Sequence, residues 1–310
     1  MKKVNDSKHW AQTDERGSLF GIMFMLYTFK LLGSTVCKIF MVPVLVYYYL
    51  FNRQARKNQT DYLQKLNSYF PDAPKASQWH VLKVFFNFGF GIVDRMAAWQ
   101  GKVKQFKLTK VNNQAFIDLR EKKQGAVIVI AHLGNFEISR MASDANKGAV
   151  FNVFMHTKNA KKFTEAIKKF NPEFAMSVIQ GDALNMQLAI ALKEKVDAGE
   201  FVVIAGDRTP VKNQAAVVNV DFLGHQAQLP IGPYVLAKVL DCPLIALYCL
   251  KERAGYQVIF ESLADEIKFG RNDKQLVLQR YAQQYALSME HQLKSAPLQW
   301  YNFHNFWKKQ

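Results

Sequence analysis

Cysteine is scarce in this sequence, which has three among its 310 residues and no CxxC pair. This scarcity excludes a disulfide framework and a paired-cysteine redox or zinc site. Apolar neighbours surround Cys37, Cys242 and Cys249, so we expect buried thiols in a reducing compartment.

The spacings typical of metal sites are also missing. No two ligand-type residues stand in an HExxH arrangement, so we expect no metal ion. The residues that could still gather round one are His132, His156, His225 and Glu137.

Acidic residues are fewer than basic ones, 25 against 41, which gives a formal net charge of +16. The lysines and arginines are spread along the chain, without a basic arm, zinc-finger spacing or an RNA-binding aromatic signature. Nucleic acid is therefore not the expected partner. An anionic lipid surface, an acidic carrier protein or a phosphorylated substrate fits this charge better.

We expect no secretory signal, because residues 1 to 18 are polar and no A-x-A-like cleavage site follows the next segment. That segment, Leu19 to Phe51, is apolar apart from interruptions at Lys30, Gly33, Lys38 and Pro43. It predicts a membrane anchor over residues 1 to 52, either as a single span or as an interfacial hairpin broken near Gly33. A buried helical hairpin in a soluble protein is the alternative.

Basic and aromatic residues mark the end of the apolar segment. Arg53, Arg56 and Lys57 follow it directly, and three tyrosines, 47 to 49, stand where an interfacial belt would lie. The positive-inside rule then places residues 53 to 310, which read as one domain, on the cytoplasmic side.

The pattern after residue 53 alternates between helices and strands. Strands that alternate with helices predict an α/β fold, with a mainly parallel or mixed central sheet flanked by helices. The expected helices are 58–70, 77–100, 112–123, 160–170, 183–198, 232–240 and 272–294, and the expected strands 127–131, 149–155, 201–205, 217–222, 243–250 and 256–261.

The strand at 127–131 ends directly in titratable side chains, in the order His132-Leu-Gly-Asn-Phe-Glu137. A turn at Gly134 and Asn135 would bring Glu137 back to the imidazole, where it could orient His132 as a general base. The alternative is a strand-end histidine bonded to backbone beside a glutamate that caps a helix.

The strand at 201–205 ends in the same manner, with Gly206, Asp207 and Arg208. Ends of two such strands can line one crevice of an α/β sheet. Arg208 offers a planar fork for phosphate or carboxylate, and Asp207 could hold that fork or a substrate hydroxyl. A simple Asp-Arg pair that closes a turn before Pro210 remains the alternative.

Together these blocks resemble the bacterial lipid A biosynthesis acyltransferases, the lauroyl/myristoyl-transferring branch of the lysophospholipid acyltransferase superfamily. The resemblance rests on the HX4E block at His132, on Gly206-Asp-Arg, on Phe222-Leu-Gly with Leu229-Pro-Ile-Gly-Pro, and on the aromatic segment Trp300 to Trp307. It implies a glycerol-phosphate-acyltransferase-like fold and an enzyme on the cytoplasmic face of the inner membrane.

The resemblance also implies roles for individual residues. His132 would be the general base and Glu137 its partner, with Asn135, Asp207, Arg208 and Lys158 contacting substrate. Backbone N–H groups near Gly134 and Asn135 would stabilise the oxyanion. The donor would be an acyl thioester of acyl carrier protein or coenzyme A, and the acceptor a membrane lipid hydroxyl, without a cofactor.

One feature departs from the family pattern, and it leaves the acceptor open. Lipid A acyltransferases carry an arginine between these blocks, whereas this chain has Met155-His-Thr-Lys158-Asn-Ala and then, as its only basic residues up to position 169, Lys161, Lys162, Lys168 and Lys169. The block resembles relatives associated with aryl-polyene synthesis. Two other functions share the residues, a non-catalytic anionic-lipid-binding protein and a thioesterase that uses the same base.

Overall fold

The computed structural model describes residues 19–100, 102–111, 113–145, 149–155, 177–180, 185–209 and 216–307. Lys158, His156 and the helix expected at 160–170 lie outside the described residues. The three cysteines are buried free thiols, as the sequence predicted.

The apolar N-terminal segment forms helix α1 (Leu19–Phe51), which breaks at Gly33, where φ is 80° and ψ is −176°. The chain folds back there: the Cys37 thiol donates to the Met25 carbonyl at 3.3 Å. In a straight helix, twelve residues would separate these groups by about 18 Å. Helix α1 is therefore a hairpin of two helical halves.

One face of this hairpin packs against the domain, chiefly on helix α3 (Gln78–Trp99). Its buried side chains include Leu26, Phe29 and Leu45. Contact is so close at Gly89 of α3 that an added Cβ would lie 2.5 Å from Leu45 Cδ2. Large apolar side chains remain exposed on α1, so one face binds protein and another faces outward.

Helix α2 (Arg53–Tyr69) begins with a side-chain cap from Asn52 and α3 with one from Ser77. Both caps satisfy backbone N–H groups that a helix start leaves unpaired. The remaining helices are α4 (Gln114–Glu121), α5 (Phe136–Ala145), α6 (Met186–Asp197), α7 (Gly232–Val239) and α8 (Lys274–Ser295).

Within the described part of the chain, seven strands form one mixed sheet in the order β1-β9-β8-β2-β5-β3-β4. Strands β8, β2, β5, β3 and β4 run parallel to one another, while β9 pairs antiparallel with β8. The strands are β1 (Lys107–Val111), β2 (Ala126–Gly134), β3 (Phe151–Met155), β4 (Ser177–Gln180), β5 (Phe201–Ala205), β8 (Leu244–Glu252) and β9 (Gly255–Ala264). The predicted fold class, a mainly parallel α/β sheet flanked by helices, is confirmed.

Two strands stand apart as the hairpin β6 (Val217–Phe222) and β7 (His225–Pro230). The sequence predicted β6 but not β7, β1 or β4. Strand β7 is polar at alternate positions, and β1 is an edge strand whose side chains are exposed or half-buried. Neither therefore shows the continuous apolar run of a buried strand.

Strand β2 divides the core into two layers. Val127, Val129 and Leu133 face a layer that contains α2, α7 and α8, whereas Ala126 and Ile128 face a layer formed by α1, α4 and the second half of α3. Successive side chains of a strand point to opposite faces, so both faces of β2 are covered. Its polar end is at the carboxyl edge of the sheet.

Candidate active site

Strands β2 and β5 are direct neighbours, and their register aligns the two polar blocks. Ile130 pairs with Ala205, and the Gly206 N–H donates to the Ile130 carbonyl at 2.8 Å. Two residues further on, the same spacing places His132 opposite Asp207. The two strand ends therefore form one site, as the sequence predicted.

Asp207 is 2% exposed and accepts three hydrogen bonds. His132 donates through Nδ1 to Oδ1 and through its backbone N–H to Oδ2, each at 2.8 Å. The Trp300 indole N–H also donates to Oδ2, at 3.1 Å. Burial raises the pKa of Asp207, but His132, its hydrogen bonds and Arg208 outweigh burial and hold the pKa well below its usual range. Asp207 is thus a fixed carboxylate.

The contact with Asp207 fixes the tautomer of His132. Because the carboxylate can only accept, Nδ1 carries the proton and Nε2 keeps its lone pair. The His132 side chain is 43% exposed, unlike Asp207. Asp207 therefore fixes the buried side of the imidazole, and a substrate can reach its exposed side, as a general base requires.

Arg208 lies against the imidazole, with Nε 3.3 Å from His132 Nδ1. This approach is a contact and not a hydrogen bond, because the proton on Nδ1 already points to Asp207. Nη1 of Arg208 lies within hydrogen-bonding distance of Nδ1 of His304. The guanidinium thus places a positive charge beside the base.

The C-terminal segment Gln299–Trp307 closes one side of this site. Tyr301 N–H donates to the His132 carbonyl at 2.8 Å, and Gly134 N–H donates to the Gln299 carbonyl at 2.9 Å. Polar side chains of α2 hold the segment in turn: Asn58 donates to Phe303 O at 2.8 Å and Gln59 to Asn302 O at 2.9 Å. Sequence reasoning assigned Trp300 and His304 no role, since only their aromatic neighbourhood stood out.

Glu137 does not occupy the place that the sequence predicted beside His132. Its carboxylate accepts from Arg140, at 3.2 Å from Nε and 3.0 Å from Nη2. The reason is local: Glu137 is in the first turn of α5, where its neighbour on the same face is three residues ahead. Asp207 is therefore the carboxylate that holds the imidazole.

The backbone N–H groups of the turn after β2 were predicted to stabilise the oxyanion, but they donate to carbonyls of the protein. Gly134 and Asn135 donate their N–H groups to the carbonyls of Gln299 and Cys249, at 2.9 and 2.7 Å. Gly134 has φ 76°, and a Cβ there would lie 2.1 Å from Cys249 O, so only glycine fits.

Asn135 was expected to contact substrate, but it is 4% exposed and donates its side-chain amide to Gly91 O at 3.0 Å. This buried position argues against direct contact with substrate. Lys158, the other expected substrate ligand, lies outside the described residues. In the described ranges, no three His, Cys, Asp or Glu side chains group to hold a metal ion.

A family model described as bacterial lipid A biosynthesis acyltransferase matches residues 7–309, nearly the whole chain. The chain belongs to the bacterial lipid A biosynthesis acyltransferase family. A search of curated proteins found no match. As a member of this family the protein is an acyltransferase, and the family implies an acyl donor and a lipid acceptor.

Proposed function

We propose that this protein is a membrane-associated O-acyltransferase that moves a fatty acyl chain from the thioester of acyl carrier protein to a hydroxyl of a lipid acceptor. The observation that carries this proposal is the 2.8 Å hydrogen bond from His132 Nδ1 to the buried carboxylate of Asp207. It leaves Nε2 as the base, in an exposed imidazole.

The reaction requires no protein nucleophile. His132 Nε2 takes the proton of the acceptor hydroxyl, and the hydroxyl oxygen attacks the carbonyl carbon of the thioester. The C–S bond then breaks, and the imidazolium returns the proton to the departing thiolate. Asp207 stabilises the imidazolium, and an oriented base of this kind contributes a rate factor of about 10²–10⁴.

Arg208 supplies the positive charge of the site. Its guanidinium lies against the His132 ring, where it can bind an anionic group of the acceptor or donor beside the reacting hydroxyl. The net charge of +16 suits the same partners, because acyl carrier protein and phospholipid headgroups are both acidic.

The acceptor follows from the lysine segment in place of the family arginine. Lysine is a point charge and does not bind phosphate as a bidentate fork, so a bisphosphorylated lipid A precursor should be a poorer acceptor than a simpler lipid or polyene-linked hydroxyl. The purified enzyme can be offered both acceptors with the same thioester. A clear preference for the lipid A precursor would contradict this assignment.

Helix α1 provides the membrane association. By length and composition Met23–Phe51 could cross a membrane, with a mean hydropathy of 1.7. Its fold-back at Gly33, however, leaves halves of about 14 and 18 residues, roughly 21 and 27 Å long. Each is shorter than a hydrocarbon core of about 30 Å. The hairpin therefore enters the membrane and returns on the same side, with both ends on the cytoplasmic face of the inner membrane.

The decisive test compares His132→Ala with His225→Ala, a matched change at an exposed histidine of β7. Acyl transfer from acyl carrier protein should fall to background in the first variant and persist in the second. Wild-type turnover in His132→Ala would contradict the proposal. Free fatty acid without acylated lipid would identify a thioesterase, and vesicle binding without turnover by the native protein a lipid-binding protein.

A further inference from the structure

A cavity of about 350 Å³ opens at the end of α1, between the start of α2 and the start of α3. Its walls include Arg53, Lys57 and Thr60 of α2 and Gln78 of α3. A volume near the lower end of ligand pockets, which span about 300–1,000 Å³, suits a headgroup rather than a whole lipid.

Two other charged residues of this cavity are occupied within the protein. Arg56 donates through Nη1 to the Leu50 carbonyl at 2.6 Å and also to the Tyr49 carbonyl, so it caps the end of α1. Asp61 pairs with Lys65 one helical turn later. These contacts stiffen the walls and neutralise the carboxylate.

The contacts of Arg53 and Lys57 differ from those of Arg56 and Asp61. Both side chains are exposed, and neither forms an ion pair with any residue that the structure describes. In the described part of the chain, the cavity therefore presents two cations that no carboxylate pairs with.

Exposed large apolar side chains stand next to the lining residues of the cavity along the chain. Tyr47, Leu50 and Phe51 of α1 are 58%, 56% and 70% exposed, and Trp79 of α3 is 62% exposed. The Tyr49 hydroxyl donates to Gln78 Oε1 at 2.8 Å, which ties the end of α1 to the cavity wall. Exposed aromatic rings beside cations are typical of a membrane interface.

We propose that this cavity binds the anionic headgroup of a membrane phospholipid, with Arg53 and Lys57 on the phosphate and the acyl chains along the apolar face of α1. The exposed apolar side chains beside these cations favour a lipid, which has acyl chains attached to its anionic headgroup, over acyl carrier protein, which is soluble and acidic. This inference rests on the membrane association proposed above and not on the acyl-transfer chemistry.

A second cavity of about 320 Å³ offers a matched control. It is lined by Lys122 and Lys123 and lies beside Gly125, at the opposite end of β2 from His132. The test compares the full chain, Arg53→Gln/Lys57→Gln and Lys122→Gln/Lys123→Gln. The two double variants remove the same charge from exposed positions. Arg56 stays unchanged because it caps α1.

The measurement is the affinity of each protein for phosphatidylcholine vesicles with and without 30 mol % phosphatidylglycerol (about one lipid in three, enough for a strongly anionic surface). One cation at such a surface contributes a factor of roughly 5, so Arg53→Gln/Lys57→Gln should lose about 25-fold of the preference for anionic vesicles. The Lys122→Gln/Lys123→Gln protein should keep most of it.

Equal losses in both double variants would overturn the site and leave only diffuse charge. A lower affinity for acyl carrier protein with unchanged vesicle preference would also overturn it, in favour of a donor site. If the native chain bound neither vesicle, the membrane association itself would fail. Binding to both vesicles without an anionic preference would refute the headgroup site alone.

Discussion

Trp300 donates its indole N–H to Oδ2 of Asp207 across 3.1 Å, which joins the C-terminal segment directly to the carboxylate that holds His132. Trp300 is fully buried among aromatic rings, including Tyr62 at 4.9 Å between centroids. The donor is therefore fixed in direction. We infer that Trp300 is a positioning residue for the base.

Replacing Trp300 with Phe keeps an aromatic ring and removes the donor. Without it, the Asp207 carboxylate loses one of the three hydrogen bonds that orient it behind the imidazole. In steady-state acyl transfer we expect kcat to fall at least about tenfold with KM unchanged, since a hydrogen bond to a charged group contributes roughly 1.5–3 kcal/mol.

Trp307→Phe is the matched control. Trp307 belongs to the same aromatic cluster, 6.1 Å from the Trp300 ring, but its indole donates to the Phe222 carbonyl at 3.3 Å. Its variant should lose stability without lowering kcat. An equal loss of kcat in both variants would show that Trp300 acts only through packing.

A second prediction ranks the two carboxylates near His132. Asp207→Asn should lower kcat by about 10³–10⁴, because an amide can donate to Nδ1 and favour the wrong tautomer. Glu137→Gln, which leaves the Asp207 contact intact, should cost about tenfold or less. Single-turnover acyl transfer measures both. Comparable losses would return Glu137 to the role that the sequence assigned to it.

The sequence predicted which strands end in the polar residues of the site, but not which carboxylate contacts His132. Both β2 and β5 are apolar runs that end in charged residues, and those residues meet in one site. Local sequence could not show that β5 would lie beside β2, because β3 and β4 come between them along the chain. It therefore chose Glu137, a near neighbour in sequence, over Asp207.

For a similar reason, the sequence could not predict the contribution of the C-terminal segment to the site. The bond from Trp300 to Asp207 spans 93 residues and follows no periodic pattern. The turn at Gly134 was recognised from its residue types. That Gln299 and Cys249 take its N–H groups depends on which strands surround it.

A third prediction concerns the charge beside the base. Arg208→Lys keeps the positive charge but replaces a planar fork with a point charge. We expect kcat/KM for an anionic acceptor to fall about tenfold, mostly through KM, since the guanidinium fork can form a second charge-assisted hydrogen bond that a point charge does not replace. Arg271→Lys, at an exposed position, is the control. A variant with unchanged KM would show that Arg208 does not bind the acceptor.

The last prediction concerns how α1 is joined to the domain. Asp94 of α3 is 2% exposed and accepts from Lys38 of α1 at 3.1 Å, from Tyr256 at 2.6 Å and from Lys251. Burial raises the pKa of Asp94, but the hydrogen bonds from Lys251 and Tyr256 and the two lysine charges lower it overall. The central lysine of the apolar segment is thus bound to a carboxylate.

Asp94→Asn should therefore loosen the hairpin from the domain. Removing one partner of a buried pair costs about 3–5 kcal/mol, but both lysines are about a third exposed or more, so we expect about 1–2 kcal/mol. That loss corresponds to a Tm about 2–5 °C lower at pH 7. Asp72→Asn, an exposed position, is the control and should leave Tm unchanged.

The pH dependence gives this prediction its sign. Because the pKa of Asp94 is lower in the folded chain, its charge stabilises the fold above the unfolded pKa, near 3.9, and that stability is lost as the pH falls through the folded value. The Tm difference between native protein and Asp94→Asn should therefore be full at pH 7 and shrink below about pH 4. A difference that stays constant down to pH 3 would show that the amide disturbs packing and that the ion pairs of Lys38 and Lys251 add little.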